Sequence, residues 1–256
     1  MMRILDEYIP NDITKYLEVF TGGGSVLLYM VQKRRPDVVF ANDIDTTLIN
    51  YYNEVKNNPE GLVSEIMQVK NQYDAEKFAD VFKDVDTAKP SGFFIANKTS
   101  FSGLNSNYSK LAYNRNFSVN AINNIYKISN VIRDVTFVNS DFADLDSRIP
   151  DLKDYFIYLD PPYYYNMNVG LYGKRGSLHK GFDHDGLCEW VKKHADSNRI
   201  MMSYDNSEYI CDLYKDFNIF GFDFKYSMTN VGGSKCKDGK EIVITNYDKP
   251  KPNALF

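Results

Sequence analysis

Residues 15–43 read KYLEVFTGGGSVLLYMVQKRRPDVVFAND, and this stretch decides the fold. Lys15 to Phe20 predicts a short buried strand. Thr21-Gly22-Gly23-Gly24 breaks the pattern, and Ser25 stands where a helix cap belongs, ahead of Val26, Leu27, Leu28 and Val31. Pro36 stops that helix. Asp37-Val38-Val39-Phe40-Ala41 predicts a second strand, ending in Asn42-Asp43. Strand, glycine turn, helix, strand is the repeating unit of a parallel α/β sheet.

Outward from this unit, a helix is expected from Asp45 to about Lys56. The alternation then breaks from about Pro59 to Arg133, where aromatic and Asn/Ser-rich sequence with little apolar periodicity reads as an insertion. It resumes with strands at Val135–Val138 and Tyr155–Leu159, a polar loop from about Tyr164 to Gly181, a helix near Asp185–Ala195 and a strand at Ile200–Ser203. Late strands around Asn218–Phe224 and Glu241–Asn246 complete seven, and Lys249-Pro250-Lys251-Pro252 reads as a loose tail. His184 and His194 have no companions at metal-ligand spacing, so surface or core roles are expected, and Trp190 is assigned to the core.

Open α/β sheets take ligands beyond the carboxyl ends of their strands. Gly22-Gly23-Gly24 follows one such end, and glycine there lets a backbone approach a cofactor without a Cβ clash. Asp43 ends the next strand, 19 residues after Gly24, where a carboxylate can accept hydrogen bonds from ribose hydroxyls. The loop is not G-x-G-x-x-G, which disfavours a dinucleotide or nucleoside triphosphate and suits a phosphate-free nucleoside. A plain tight turn with a surface aspartate is the competing reading.

A second strand end carries Asp160-Pro161-Pro162-Tyr163. Two prolines fix φ twice and remove two backbone donors, which leaves rigid carbonyls beside a pre-organised carboxylate. Asp160 and the Pro161 carbonyl suit the two N6 hydrogens of a flipped-out adenine, with Tyr163 stacked on the base. Drawing density from those N–H bonds frees the amine lone pair for attack on a methyl sulfonium, and positioning rather than a strong base carries the rate. A proline-stiffened loop is the bland alternative, and it loses weight at a strand end downstream of a matching glycine loop.

The chain has 256 residues and a formal net charge of -4, ordinary values for one sizeable α/β domain with an insertion. Cys188, Cys211 and Cys236 are odd in number and far apart, which fits neither a disulfide framework nor a zinc site. The early charges of Arg3, Asp6 and Glu7 exclude a secretory signal, and no apolar run is long enough to span a membrane. A cytoplasmic protein without metal or membrane partner, monomeric or weakly dimeric, is the resulting expectation.

Taken together, the ordered motifs resemble the Dam-like family of DNA adenine-N6 methyltransferases. Leu17-Glu18-Val19-Phe20-Thr21-Gly22-Gly23-Gly24 is similar to its cofactor motif (D/E)-P-F-x-G-x-G, with Val19 where proline is usual. Asn42-Asp43-Ile44-Asp45 resembles its ribose-binding strand end. Phe94 to Leu104 resembles its N-x-x-x-F-x-G-L segment, Asn116-Phe117-Ser118-Val119 echoes its F-N-V, and Ser140-Asp141-Phe142 matches the motif that packs on the cofactor's adenine. Leu159 to Tyr163 is similar to the catalytic motif, and Lys240 to Asn246 to the closing strand.

The motif order is that of the family's α class. The resemblance implies a seven-stranded Rossmann-like S-adenosylmethionine-dependent methyltransferase fold with a helical target-recognition insertion, the catalytic part being 1–56 and 135–256 and the insertion 57–134. It implies S-adenosyl-L-methionine held by Glu18, Phe20, Gly22, Gly24, Asp43, Ile44, Asp141, Phe142 and Asp160. It also implies adenine chemistry at Asp160, Pro161, Pro162 and Tyr163, on double-stranded DNA. Members open with an aromatic K-W-x-G-G-K-like segment, and Met1 to Pro10 resembles only the helix after it. That implies a weaker hold on the methyl donor, another segment completing its pocket, or a sequence cut short.

Lys89 to Arg133 holds 45 residues without an acid but with Lys89, Lys98, Lys110, Arg115, Lys127 and Arg133. In an acidic chain this segregation points to phosphate neutralisation. Asn97, Asn105 and Asn107 are candidate base-edge or phosphate contacts, and Phe101 a wedge where the target base leaves the stack. Lys98, Lys110 and Arg115, with Lys174 and Arg175 of the later loop, complete the expected DNA-binding set. A solvated basic face is the alternative. Methylation of RNA adenine or cytosine N4, and a catalytically silent DNA-binding protein, are the rival functions.

Overall fold

The computed structural model describes residues 2–101, 107–164, 181–225 and 238–250. Helix α1 (Met2–Leu5) precedes strand β1 (Lys15–Glu18), helix α2 (Ser25–Tyr29) and strand β2 (Val38–Asp43). Helices α3 (Thr46–Asn57), α4 (Pro59–Gln72), α5 (Ala75–Val81), α6 (Pro90–Thr99), α7 (Lys110–Asn116) and α8 (Val119–Ile132) follow. Strand β3 (Val135–Asn139), helix α9 (Leu145–Arg148), strand β4 (Phe156–Leu159), helix α10 (His184–His194), strand β5 (Arg199–Asp205), helix α11 (Glu208–Leu213) and strands β6 (Asn218–Lys225) and β7 (Asp238–Thr245) complete the described elements.

The sheet has seven strands in the order β3-β2-β1-β4-β5-β7-β6. This is the doubly wound parallel order with one extra antiparallel strand, β7, placed between β5 and β6. The order reverses at the β1–β4 pair, and ligands of open α/β sheets sit at that switch. The expected α/β methyltransferase-type fold is therefore the observed one.

The chain divides into two compact units. Unit 1 comprises residues 1–21, 34–38 and 141–256, and unit 2 comprises 22–33 and 39–140. In unit 1, β4 lies parallel between β1 and β5, with Tyr16 paired to Phe156 and Phe156 to Arg199. All four β4 residues are buried, as a strand covered on both faces requires. Leu187, Trp190 and Val191 give α10 its buried face, so Trp190 belongs to the core as expected.

In unit 2, β2 and β3 pair in parallel, and α3, α4, α6 and α8 pack together. The helices start where their caps say they should. Asp45 accepts hydrogen bonds from the Thr47 and Leu48 amides, and Asn58 caps α4 ahead of Pro59. The 59–133 stretch, weak in apolar periodicity, is held by rings instead. Phe78 is almost fully buried and lies within 6.4 Å of Tyr73, Phe82, Tyr108, Tyr113 and Phe117. A core of large aromatics needs few residues per helical turn, which is why periodicity understated it.

Two local expectations are corrected. Ser25 is the first residue of α2 rather than its cap. Gly24 occupies the cap in the left-handed conformation, without a side-chain hydrogen bond. The helix also does not run regularly to Pro36: it changes to π-helical turns over Met30–Arg34, and Arg35 has φ 53°.

Candidate active site

Unit 2 carries the glycine loop and Asp43. Gly22 and Gly24 have φ of 46° and 67°, a region that suits glycine. A Cβ on Gly22 or Gly23 would meet nothing within 4 Å, whereas one on Gly24 would lie 2.6 Å from the Tyr52 hydroxyl. That hydroxyl donates to the Gly22 carbonyl at 2.9 Å, and the Tyr52 ring stacks on Phe137 at 5.0 Å. Asp43 accepts from the Gly22 amide at 2.9 Å through Oδ2 and from the Asp45 amide at 3.0 Å through Oδ1. Burial raises its pKa, and these amides pull the other way. Asn139 donates to the carbonyls of Asp43 and Ile44 at 2.9 and 3.0 Å, holding the exposed Ile44 side chain at the strand end.

Asp43 thus has a structural part in the loop: it bolts the glycine turn to β2. Each carboxylate oxygen has a second lone pair, so acceptor capacity for hydroxyls remains.

Unit 1 carries the other expected residues. Glu18, almost fully buried at the end of β1, accepts from the Tyr16 hydroxyl at 2.5 Å. Phe20, Phe142 and Phe182 form a three-ring cluster with centroids 5.7 to 6.2 Å apart. Asp141, beside Phe142, caps a turn of 3-10 helix by accepting from the Ala143 amide. Sequence reasoning missed Phe182, which lies just past the polar loop and before the α10 pattern begins.

Asp160 follows β4. Ser203 of β5 donates to Asp160 Oδ1 at 2.6 Å, and the Tyr158 hydroxyl lies 2.8 Å from the same Ser203 oxygen. The carboxyl pKa is raised from 3.8 to about 6. Burial is the main cause and the charge of Glu241 adds to it, while hydrogen bonds from Ser203 and Tyr163 oppose it. Pro161 is buried and Pro162 and Tyr163 are partly exposed. The Tyr163 hydroxyl donates to buried Glu241 at 3.3 Å, and its ring stacks on Tyr204 at 6.1 Å. The next residue is anchored as well: the Tyr164 amide donates to Asp205 at 2.7 Å, and its ring packs 4.5 Å from Tyr209. His184 is buried, bonded through Nδ1 to the Tyr204 hydroxyl, and burial lowers its pKa. Of the surface or core roles expected for it, it has the core one.

The DNA-facing expectations divide. Phe101 is 62% exposed, and its amide donates to the Asn107 carbonyl beside the antiparallel Ser100–Tyr108 bridge. Asn97 and Lys98 lie on α6, partly buried. Lys98 sits 5.7 Å from the Phe94 ring centroid, and burial lowers its pKa. Lys110 is exposed and paired with Glu76, and Arg133 is paired with Asp134, so acids from outside the acid-free block meet two of its six cations. Arg115 is exposed. Asn105, Lys174 and Arg175 lie outside the described residues.

Among the described residues no group of His, Cys, Asp or Glu could hold a metal ion, and no helix is long and apolar enough to cross a membrane. In unit 2 the open glycine loop and the acceptor-rich end of β2 fit the ribose of a nucleoside; unit 1 presents the ring cluster and the Asp-Pro-Pro-Tyr turn at its own strand ends. The strand order, reversing at β1–β4, is that of the Rossmann-like S-adenosylmethionine-dependent methyltransferase fold.

The chain belongs to the D12 class N6 adenine-specific DNA methyltransferases, whose family model matches residues 1–228. It is 28% identical to the type II methyltransferase M.MjaIII of Methanocaldococcus jannaschii, over 95% of this chain and 93% of that protein. It is 25% identical to the type II methyltransferase M1.LlaDCHI of Lactococcus lactis subsp. cremoris, over 93% and 88% of the two chains. Against the type II methyltransferase M.CviBI of Paramecium bursaria Chlorella virus NC1A, identity is 23% over 96% and 95%. Adenine methylation in DNA, with S-adenosyl-L-methionine as donor, is accordingly its activity.

Proposed function

We propose that this is a site-specific adenine methyltransferase of duplex DNA that receives its target base, flipped out of the helix, at Asp160-Pro161-Pro162-Tyr163. The observation that carries the reading is Asp160. It is a partly accessible carboxylate at a strand end, held on one oxygen by Ser203 and followed by two prolines and a ring.

When bound, the methyl donor supplies an electrophilic methyl group on a sulfonium. In unit 2, Gly22, Gly24, Asp43 and Ile44 are assigned to its ribose side. In unit 1, Glu18, Phe20, Asp141, Phe142 and Asp160 are assigned to cofactor binding by their motifs, with Phe182 added to the ring cluster. Asp160 and the Pro161 carbonyl accept the two N6 hydrogens, and Tyr163 covers the face of the base. A pKa of about 6 keeps Asp160 mostly ionised at neutral pH, as an acceptor must be.

Residues 57–134 are assigned to target recognition, with Phe101 as the exposed wedge and Asn97, Lys98, Lys110 and Arg115 near or on the DNA. Lys110 exchanges Glu76 for phosphate at little cost, because an exposed ion pair is worth about 0–1 kcal/mol. The kinship to type II methyltransferases suits protection of host DNA beside a restriction enzyme, in the cytoplasm.

Incubation with labelled S-adenosylmethionine and unmethylated duplex DNA, followed by nucleoside analysis, tests the reading. Label in N6-methyladenine is expected. Label in N4-methylcytosine, or none despite measured cofactor binding, overturns it.

A further inference from the structure

We propose that Ser203, with Tyr158 behind it, is the positioning residue that aims the Asp160 carboxylate at the target amine; this rests on the role given to Asp160 above. Strands β4 and β5 are parallel with Leu159 opposite Met202, so Asp160 and Ser203 occupy the next rung beyond the paired region. Tyr158 lies two residues before Asp160, on the same face of the strand. Ser203 and Tyr158 are both fully buried.

The hydrogen-bond directions follow from the count of protons. A serine hydroxyl has one, and an ionised carboxylate only accepts. Ser203 therefore spends its proton on Asp160 Oδ1 at 2.6 Å, and Tyr158 must be the donor across the 2.8 Å contact to Ser203. The chain Tyr158–Ser203–Asp160 ends at a tyrosine buried in the core. Its part is to orient the carboxylate.

Orientation is what the turn lacks without it. The two prolines fix the backbone of 161 and 162, but the terminal torsion of an aspartate is broad. Ser203 pins one oxygen and so sets the plane of the carboxylate. The groups facing Asp160 are Ser203 of β5, Tyr158 of β4, Glu241 of β7 and Tyr163. Glu241 and burial disfavour the ionised form, whereas the Ser203 hydroxyl favours it.

The test compares Ser203→Ala, Ser203→Thr and Tyr158→Phe with the unaltered full chain, using labelled S-adenosylmethionine and an unmethylated duplex across about pH 5 to about pH 9. Ser203→Ala is expected to lower kcat about 10- to 100-fold, the scale of a hydrogen bond to a charged group. KM for DNA and the affinity for S-adenosylmethionine should stay within about twofold. The acid limb of the pH profile should move to higher pH. Ser203→Thr, which keeps the hydroxyl, should recover most of the rate. Tyr158→Phe should show a smaller loss and a smaller shift in the same direction.

An unchanged kcat and acid limb in Ser203→Ala would overturn the inference. So would equal losses in the Ala and Thr variants, or a loss that vanishes when rates are expressed per cofactor-binding molecule. These outcomes are read against an active unaltered chain. If that chain transfers no methyl to adenine N6, the parent reading of Asp160 fails first and this inference falls with it.

Discussion

Asp43 and Asp160 are both aspartates at the carboxyl ends of parallel strands, and burial raises both pKa values. They differ in what holds them. Asp43 is gripped by two backbone amides, those of Gly22 and Asp45. Asp160 is held by the side-chain hydroxyl of Ser203. An acceptor that satisfies partly buried backbone donors is part of the fold, because removing it leaves those donors without a protein partner. A carboxylate kept by a side chain beside another buried acid costs the fold stability and is retained for what it does. Asp43 is therefore part of the fold whatever it binds, whereas the hold on Asp160 is that expected of the catalytic role proposed for it.

The sharpest way to break this contrast is Asp160→Asn. Single-turnover methylation should fall on the order of 10³-fold, the scale seen when a preorganised transition-state contact is lost. Scanning calorimetry at pH 8 should show a melting temperature unchanged or raised, because a desolvated charge has been removed. A clear fall in stability would place Asp160 with Asp43.

The pH dependence sharpens the same point. Asp160 has a folded pKa of about 6 against an ordinary 3.8, so the folded state binds its proton more tightly than the unfolded chain. Its destabilising effect is fully present above about pH 6 and is relieved as the pH falls toward 3.8. Activity should move the other way, falling as the pH drops through about 6, since protonation removes the acceptor. Measured together, the two curves should diverge in that window, and the stability difference should vanish in Asp160→Asn.

Asp43→Ala should invert the pattern. Calorimetry should show a loss of about 1–3 kcal/mol, from the stranded amides of Gly22 and Asp45. Titration should show S-adenosylmethionine bound about 10- to 100-fold more weakly, with kcat at saturation little changed.

Gly24→Ala should cost about 1–2 kcal/mol of stability, the price of a left-handed conformation for an L-residue. The displaced Tyr52 hydroxyl adds to that, so Gly24→Ala in a Tyr52→Phe background should lose less than the sum of the two single changes. The smallest effect is reserved for Phe182→Ala. One ring of three goes, and cofactor affinity should fall about 3- to 10-fold without loss of fold.

Much of this was legible in one dimension. The seven strands were placed within a few residues, because strand, turn and helix patterns are local. Both carboxylates were singled out from local pattern, Asp43 as the end of the strand 19 residues after Gly24 and Asp160 as a strand end followed by two prolines. What was missed shares one property: Ser203, Tyr158, Tyr52, Asn139 and Phe182 are ordinary residues of strands, helices and loop ends. Tyr158 and Ser203 are 45 residues apart, and nothing in either neighbourhood announces the other. The acid-free block shows the converse error. Its charge segregation is real along the chain, yet Glu76 reaches Lys110 across 34 residues and dilutes it in space.

By itself the sequence determined the order of the α/β elements and the family, and it singled out two strand-end loops, Gly22-Gly23-Gly24 and Asp160-Pro161-Pro162-Tyr163, as the candidate ligand sites. Backbone preference and proline geometry act within a few residues and are written locally. Only the tertiary structure decided which oxygen of Asp160 is held, what shifts its proton affinity, and that Asp43 ties the glycine loop to β2. Hydrogen-bond partners and desolvation are properties of neighbours in space, and strand pairing brings those neighbours from distant parts of the chain.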